Sequence, residues 1–436
     1  MNTISTINNV QLISEVFTER LSQLPGGNNV QEIRRKAIEQ FTKLGFPLRS
    51  NEEYKYSDTS KLFKEGINLA HADDDISKVD FNKYKQKNID AYHIFLVNGE
   101  LISTESDKIE NNKVEVCDLK TAAEKYDKIF NQYYGSSVAK FNDAFAQLNI
   151  ALASKGLFVY LKDRAKLDKP LFIHNISTGT DNHFFQTHHL IIAETLCSID
   201  IIEDFYSQTN SNQYILNSLA EIFVKEQGIV NYYKLQNENE NAIHINTTHA
   251  VQDKQSLFDT NTVSLGGKWG RNNLNILMNG INCESHLNGL FVLKGQQHLD
   301  NHTLVDHQNP HCESNQLYKG ILSDKSSGVF NGKIYVRKDA QKTNAYQSSK
   351  SMLLSDDASM NTKPQLEIYA DDVKCSHGSS TGQIDTNALF YLRARGLSED
   401  SARKLLMYAF ALDVINTVKI EPYRQYLEEL IENSLN

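Results

Sequence analysis

The 436-residue chain has no Cys-x-x-Cys pair and no phosphate-cradling loop of the Walker type. The first absence removes the usual local framework of a closed structural zinc site. At Gly266-Gly267-Lys268 both the leading glycine at the right distance and the following Ser or Thr are missing, so bound nucleotide is not expected in this chain. The five cysteines, Cys117, Cys197, Cys283, Cys312 and Cys375, are odd in number and far apart, which fits reduced thiols better than a disulfide framework. Basic charge is also short. With 45 Lys and Arg against 54 Asp and Glu the formal net charge is −9, and no Lys/Arg block offers a local grip on nucleic acid. No apolar run reaches membrane-spanning length, and Met1 to Arg20 has neither the basic start nor the unbroken apolar stretch of a secretory signal. The expectation is a cytoplasmic protein with neither a nucleic acid nor a membrane partner.

Hydrophobic content of 40% is enough for packed cores, and the length suggests two or three units. Residues 8 to 70 read as helices: Val10, Ile13, Val16 and Phe17 recur at helical spacing, and so do Ile33, Ala37, Phe41 and Leu44 after the Pro25-Gly26-Gly27 break. Residues 72 to 155 are mixed, with a strand expected at His93 to Val97. A helix is expected from Ser137 to Ala153 on the stripe Val138, Phe141, Phe145, Leu148 and Leu152.

From Gly156 to about Cys375 short apolar or alternating runs follow one another, among them 157–161, 171–174, 189–193, 198–202, 221–224, 229–235, 242–246, 273–278, 289–293, 332–336 and 365–369. Between them lie Asn, Ser, Thr, Gly and His rather than helical spacers, so the unit reads as all-β. A parallel β-helix, whose stacked coils bury an apolar ladder, accommodates so many short strands more economically than one large sandwich or barrel, although no strict repeat period is visible. Helix returns over 385–432, with Asp385 and Ser398 as caps and Tyr423, Tyr426, Leu427, Leu430 and Ile431 along the last segment. The resulting division is 1–155, mainly helical with a mixed region; 156–376, β-helix; and 377–436, helical. The terminal helical units are expected to cover the ends of the strand stack. An apolar β-helix end or edge is expected to favour self-pairing of the isolated chain.

Two places carry ligand-type residues. Cys283, His286, His298, His302, His307, His311 and Cys312 are concentrated between 283 and 312. Imidazole and thiolate suit zinc, iron or copper, yet the spacings match no zinc signature and such histidines can equally satisfy buried groups at tight turns. The second place is the seam at residues 364–397, where an alternating strand runs through a Cys-x-His-Gly turn into a helix with Leu389 and Leu392. Cys375 and His377 are two residues apart, which on a strand puts both on one face. The pair could hold a metal jointly with a partner, or be a buried thiol and a turn histidine. The carboxylate pairs Asp356/Asp357 and Asp371/Asp372 are adjacent and read as solvated, not as a glycosidase pair.

The segment Asp300-Asn301-His302-Thr303-Leu304-Val305-Asp306-His307, then Cys312-Glu313-Ser314, Tyr318-Lys319-Gly320-Ile321-Leu322 and the 364–397 stretch together resemble the SufB/SufD family of iron–sulfur cluster assembly scaffolds. The likeness is strong over about 295–411, with a weaker echo from Gly45 to Ser57, where Tyr54 stands in place of the family's usual Trp. The resemblance implies a right-handed parallel β-helix between N-terminal and C-terminal helical domains, and a non-catalytic subunit. It further implies pairing with SufB through the β-helices, with the ATPase SufC held by the C-terminal helices at about 385–436. SufB-type chains have a cysteine shortly before a Ser-Met-Leu run; the matching position here, ahead of Ser351-Met352-Leu353, is Ser349. SufD-type chains carry Cys-Ser-His-Gly, matched by Cys375 to Gly378. On that likeness His377 becomes the cluster-assembly residue, a metal ligand or proton-handling group shared with SufB, with Cys375 beside it. His302, Asp306 and His307 are family-motif residues of structural type. No cofactor is expected to stay on the isolated chain, an iron–sulfur cluster being only transient in the complex. Two competing readings are a β-helix carbohydrate lyase or hydrolase, which calls for a secretion signal and a charged cleft, and a bare interaction scaffold.

Overall fold

The computed structural model describes residues 2–63, 67–69, 76–86, 88–141, 143–178, 183–210 and 213–435. From Leu157 onward the chain alternates between two sheets, each strand pairing in parallel with the strand one coil away. One sheet, here the first, takes Leu171–Ser177, Ser198–Ser207, Ile229–Asn237, Leu257–Ser264, Glu284–Leu293, Glu313–Leu322, Asn344–Leu353 and Lys374–Gly382. The second takes Leu157–Leu161, His183–Ala193, Tyr214–Val224, Ile243–Gln252, Trp269–Met278, His298–His307, Ser327–Val336 and Ser359–Ile368. The result is a parallel β-solenoid of about seven turns, flanked by helices at both chain ends.

Its inner ladder on the second sheet is Ile191, Ile222, Ala250, Ile276, Val305 and Ile334, in register from coil to coil. The sequence shows no fixed period because the coils differ in length. The register advances by 26 residues from Ile243 to Trp269 and by 32 from Ser327 to Ser359. What does repeat is the corner before the first-sheet strands. Leu196, Gln227, Gln255, Asn282, His311 and Lys342 each stand two residues before a strand with φ of 56–62°. A side chain in this left-handed region is unfavourable, but the N–H of each of these residues donates to a carbonyl at the corner of the next coil, as His311 does to Gln341 at 2.9 Å. Stacking thus imposes a conformation that no local signal announces.

Helices Asn2–Arg20 and Asn28–Leu44 form as the spacing predicts, but the rest of the expected helical stretch to residue 70 does not. Its described part is short 3₁₀ turns at Glu52–Tyr54 and Thr59–Lys61, where the Asn51 and Asp58 side chains accept from the N–H groups of Leu48 and Ser60. Such local bonds compete with helix; residues 64–66 and 70 lie outside the described part. The expected helix Ser137–Ala153 is shortened to Ala144–Leu152, because Asp143 caps it by accepting from the Ala146 N–H at 2.7 Å. The expected strand appears as Tyr92–Val97, and with Val114–Asp118 it extends the two sheets instead of belonging to a separate unit.

The C-terminal helices Thr386–Ala394, Glu399–Ile415 and Glu421–Ser434 begin at Asp385, Ser398 and Ile420, and Asp385 and Ser398 cap through their side chains as anticipated. Met407, Ala411, Val414, Tyr423, Leu427 and Ile431 pack with Phe172, Ile202, Tyr233, Val263, Leu290 and Ile321 on the outside of the first sheet. This corrects the expectation that helices cover both ends of the stack. At the N-terminal end, the short antiparallel strands Glu100–Leu101 and Val114–Asp118 occupy the edges. At the other end the last coil, Ser359–Ile368 and Lys374–Gly382, is left uncovered. That open end is also not apolar as anticipated: its final strand reads Lys-Cys-Ser-His-Gly-Ser-Ser-Thr-Gly and is mostly exposed.

Candidate functional site

The open coil is where His377 sits. The sequence places a turn at Cys375–Gly378, but the segment is extended, because Lys374–Gly382 pairs in parallel with nine consecutive residues of Asn344–Leu353. The first helix after it starts only at Thr386. Cys375 and His377 stand in register with Ala345 and Gln347, both buried inside the solenoid. Since alternate residues share a face, the pair belongs to the inward-facing set of the last coil. Cys375 is half-buried against Ile334, Val336, Ala340 and Ala345, and burial raises its thiol pKa. His377 is exposed. Ser349, where the resemblance puts the paralogue's cysteine, is buried in the strand alongside and in register with Ser379.

A groove of about 790 Å³ runs from this strand along the outside of the first sheet. Ser376, His377 and Gly378 form one end, and Thr417 and Lys419, from the connection between the last two helices, form a wall. Within it His286 lies 3.7 Å from Asp259 and 3.3 Å from Glu284, while Lys419 reaches Asp259 at 2.8 Å. The Asp259 carboxylate raises the His286 pKa. Lys419 and Asp259 carry no sequence signal, since only the packing of the helices on the sheet brings them together.

Of the remaining residues of the 283–312 cluster, only Cys283 and Cys312 meet, their thiols sharing the Gly280 carbonyl at 3.2 and 3.3 Å; the others disperse. His302 is on the outer face of the second sheet, 3.0 Å from Asp300 and 3.3 Å from Glu53. Asp300 also takes Arg271 at 2.7 Å and the Ser57 hydroxyl, while the Arg271 guanidinium lies 4.0 Å over the Tyr54 ring. Burial works against the charge of Asp300, but Arg271 and His302 hold its pKa well below the usual carboxylate range. This cluster fastens the turn around Tyr54 to the solenoid. Sequence reasoning did not single out Arg271 or Ser57, which lie more than 200 residues apart. Asp306 forms a bidentate pair with Arg337, both bonds at 2.9 Å. His307 is fully buried, 2.9 Å from the Ser314 hydroxyl, and burial lowers its pKa to about 4. His298 contacts Ser57 and Ser327 at 2.9 and 2.7 Å. His311 is an exposed corner residue.

Cys197, Cys283 and Cys312 all stand immediately before first-sheet strands, buried at the repeated corner, where each thiol points at backbone carbonyls. Their spacing follows the coils, not a ligand set. Among the described residues, no three His, Cys, Asp or Glu side chains converge to hold a metal ion, and no helix is long and apolar enough to cross a membrane.

Comparison with known families agrees with the architecture. Residues 175–410 match the SUF system FeS cluster assembly SufBD core domain, and residues 14–173 match the SufBD protein N-terminal region. The chain is 30% identical over 393 residues to the iron–sulfur cluster assembly protein SufD of Escherichia coli, spanning 89% of each. It is 24% identical over 422 residues to the protein of that name from Bacillus subtilis, covering 93% of this chain and 94% of that one. A SufBD family protein of Synechocystis is 29% identical over 413 residues, 91% of this chain and 89% of its own. With both domain models matched in order and SufD relatives aligned over most of the length, the chain belongs to the SufBD family of iron–sulfur cluster assembly proteins and is of the SufD type.

Proposed function

We propose that this chain is a non-catalytic scaffold subunit that pairs with a SufB-type partner through its open last coil and carries a SufC-type ATPase on its C-terminal helices. The observation that carries the proposal is the uncovered end of the solenoid. Ser359–Ile368 and Lys374–Gly382 are edge strands ten and nine residues long, and such edges present unpaired backbone donors and acceptors that native proteins otherwise blunt. A second solenoid laid against them satisfies those groups and encloses His377 and Cys375 at the junction. Iron and sulfide are cargo in this reading. His377 acts as a ligand or proton-handling group completed by the partner's side of the junction, and Cys375 supports it from the same face.

The C-terminal helices suit the second role. Phe390 is 75% exposed, Tyr391 58% and Leu405 45%, an apolar group left free while the opposite face packs on the sheet. Lys419 and Thr417 link those helices to the groove that ends at His377. A pull on the helices would therefore reach the assembly end. The same open edges allow a homodimer when no SufB-type chain is present, and the compartment expected for the complex is the cytoplasm. The test is co-purification with both partners. Phe390→Asp is expected to lose the ATPase and retain the SufB-type chain, and loss of neither would overturn the assignment of the helices.

A further inference from the structure

Inside the solenoid the apolar ladder occupies only part of the space; a line of buried polar side chains runs beside it. At one end His244 Nδ1 is 2.7 Å from Glu238 Oε2, which also accepts from Gln236 Nε2 at 3.1 Å. Gln236 is in register with Ser264, whose hydroxyl lies 3.4 Å from Asn272 Nδ2, and that amide reaches Asn301 Oδ1 at 3.0 Å. Two residues on, and on the same face, Thr303 donates to Gln316 Oε1 at 2.7 Å; Gln347 Nε2 donates to the same oxygen at 3.2 Å. Gln347 is in register with His377. The line climbs one coil at a time over roughly 24 Å, five sheet spacings from Gln236 to His377.

Four atoms along it are buried without a partner: Gln236 Oε1, Asn301 Nδ2, Gln316 Nε2 and Gln347 Oε1, with Ser351 Oγ nearby. Each such group left dry costs about 1–3 kcal/mol, and a run of them in one line is the signature of buried water. Gly332 lets the Gln347 amide lie in this line, since a Cβ on it would fall 2.2 Å from Gln347 Nε2.

We propose that this line holds a file of water molecules from the Glu238–His244 pair to the open coil at His377, and that the file is a proton path for that end. The proton role rests on the assembly function proposed above. A sulfide delivered as hydrogensulfide releases one proton on becoming a bridging ligand (HS⁻ → S²⁻ + H⁺). A partner seated over the last coil closes that end to bulk solvent, so the proton passes to the first water of the file and is handed inward to the Glu238–His244 pair, which takes it up.

A high-resolution crystal structure tests the file without any assembly chemistry. The expected result is ordered water within about 3.2 Å of Asn301 Nδ2, Gln316 Nε2 and Gln347 Oε1, with the Gln316 site lost in Gln316→Leu; dry density at these atoms would overturn it. The path is tested by cluster formation in the complex with its partners. Gln316→Leu, folded as judged by an unchanged circular dichroism spectrum, is expected to slow it by about tenfold or more and to alter its D₂O isotope effect. Equal rates in a variant that has lost its water would overturn the proton path. Failure of the wild-type complex to build any cluster would instead count against the scaffold reading, with the file still decided by the density.

Discussion

Asp204 gives the sharpest quantitative prediction. It lies on the outer side of Ser198–Ser207, fully buried, and accepts hydrogen bonds from Tyr206 at 2.6 Å and from Tyr423 of the last helix at 2.7 Å. The groups around it are Tyr426 behind Tyr206, Tyr84 against the Tyr206 ring, His174 in register on the neighbouring strand, and Glu203 beside it in sequence. Among the described residues no cation is shown bonded to it. Burial pushes its pKa up to about 7, against the opposing hydrogen bonds of the two tyrosines. In the unfolded chain the group ionises near its ordinary value, about 3.9. Between roughly pH 4 and 7 the folded protein therefore holds one more proton than the unfolded chain, so this group's contribution to stability falls as pH rises through that window and is level above it. At about 1.4 kcal/mol per pH unit the loss amounts to as much as about 4 kcal/mol. Asp204→Asn keeps an oxygen for both tyrosines and does not titrate. Denaturant unfolding of variant and wild type at pH 4.5 and pH 7.5 is the assay, since the other titrating groups are common to both. The variant is expected to gain on the wild type by several kcal/mol from the lower to the higher pH. A difference that stays constant would refute the claim that the last helix is held through a protonated carboxyl.

Other outcomes follow from the same structure. Arg271→Leu leaves Asp300 buried without its main counter-charge and is expected to cost about 3–5 kcal/mol, seen as a lower melting temperature and early proteolysis near residues 50–60. Gly332→Ala forces a methyl against the Gln347 amide and is expected to cost about 1–3 kcal/mol in denaturant unfolding. A thiol reagent should modify the half-buried Cys117 and Cys375 well before Cys197, Cys283 and Cys312; fast labelling of the corner cysteines would contradict their packing.

The sequence made the solenoid legible where strands are apolar toward the interior, as in His183–Ala193 and Tyr214–Val224, though only about half of each strand stood out. Strands such as Asn344–Leu353 and Lys374–Gly382 present Ala, Gln, Ser, Cys and His to the interior, and hydrophobic alternation cannot find those. The corners escaped for a different reason: they are defined by a shared left-handed φ and by hydrogen bonds between coils, which residues as different as Leu196 and His311 satisfy. At the candidate site, Cys375 and His377 could be singled out because their spacing is local. The groove was not legible, because Asp259, His286 and Lys419 meet only once the helices fold back over the sheet.

The central claim is that the open coil builds clusters through His377. It is tested most directly by anaerobic reconstitution with iron and sulfide of this chain co-expressed with its SufB-type and SufC-type partners. Wild type and His377→Ala are compared by visible absorption and iron content, after both are shown to assemble the same complex. The account predicts a cluster in the wild-type complex and none, or a small fraction, in the variant. Equal cluster yield in the two would contradict it and leave His377 a residue of the edge strand with no part in assembly.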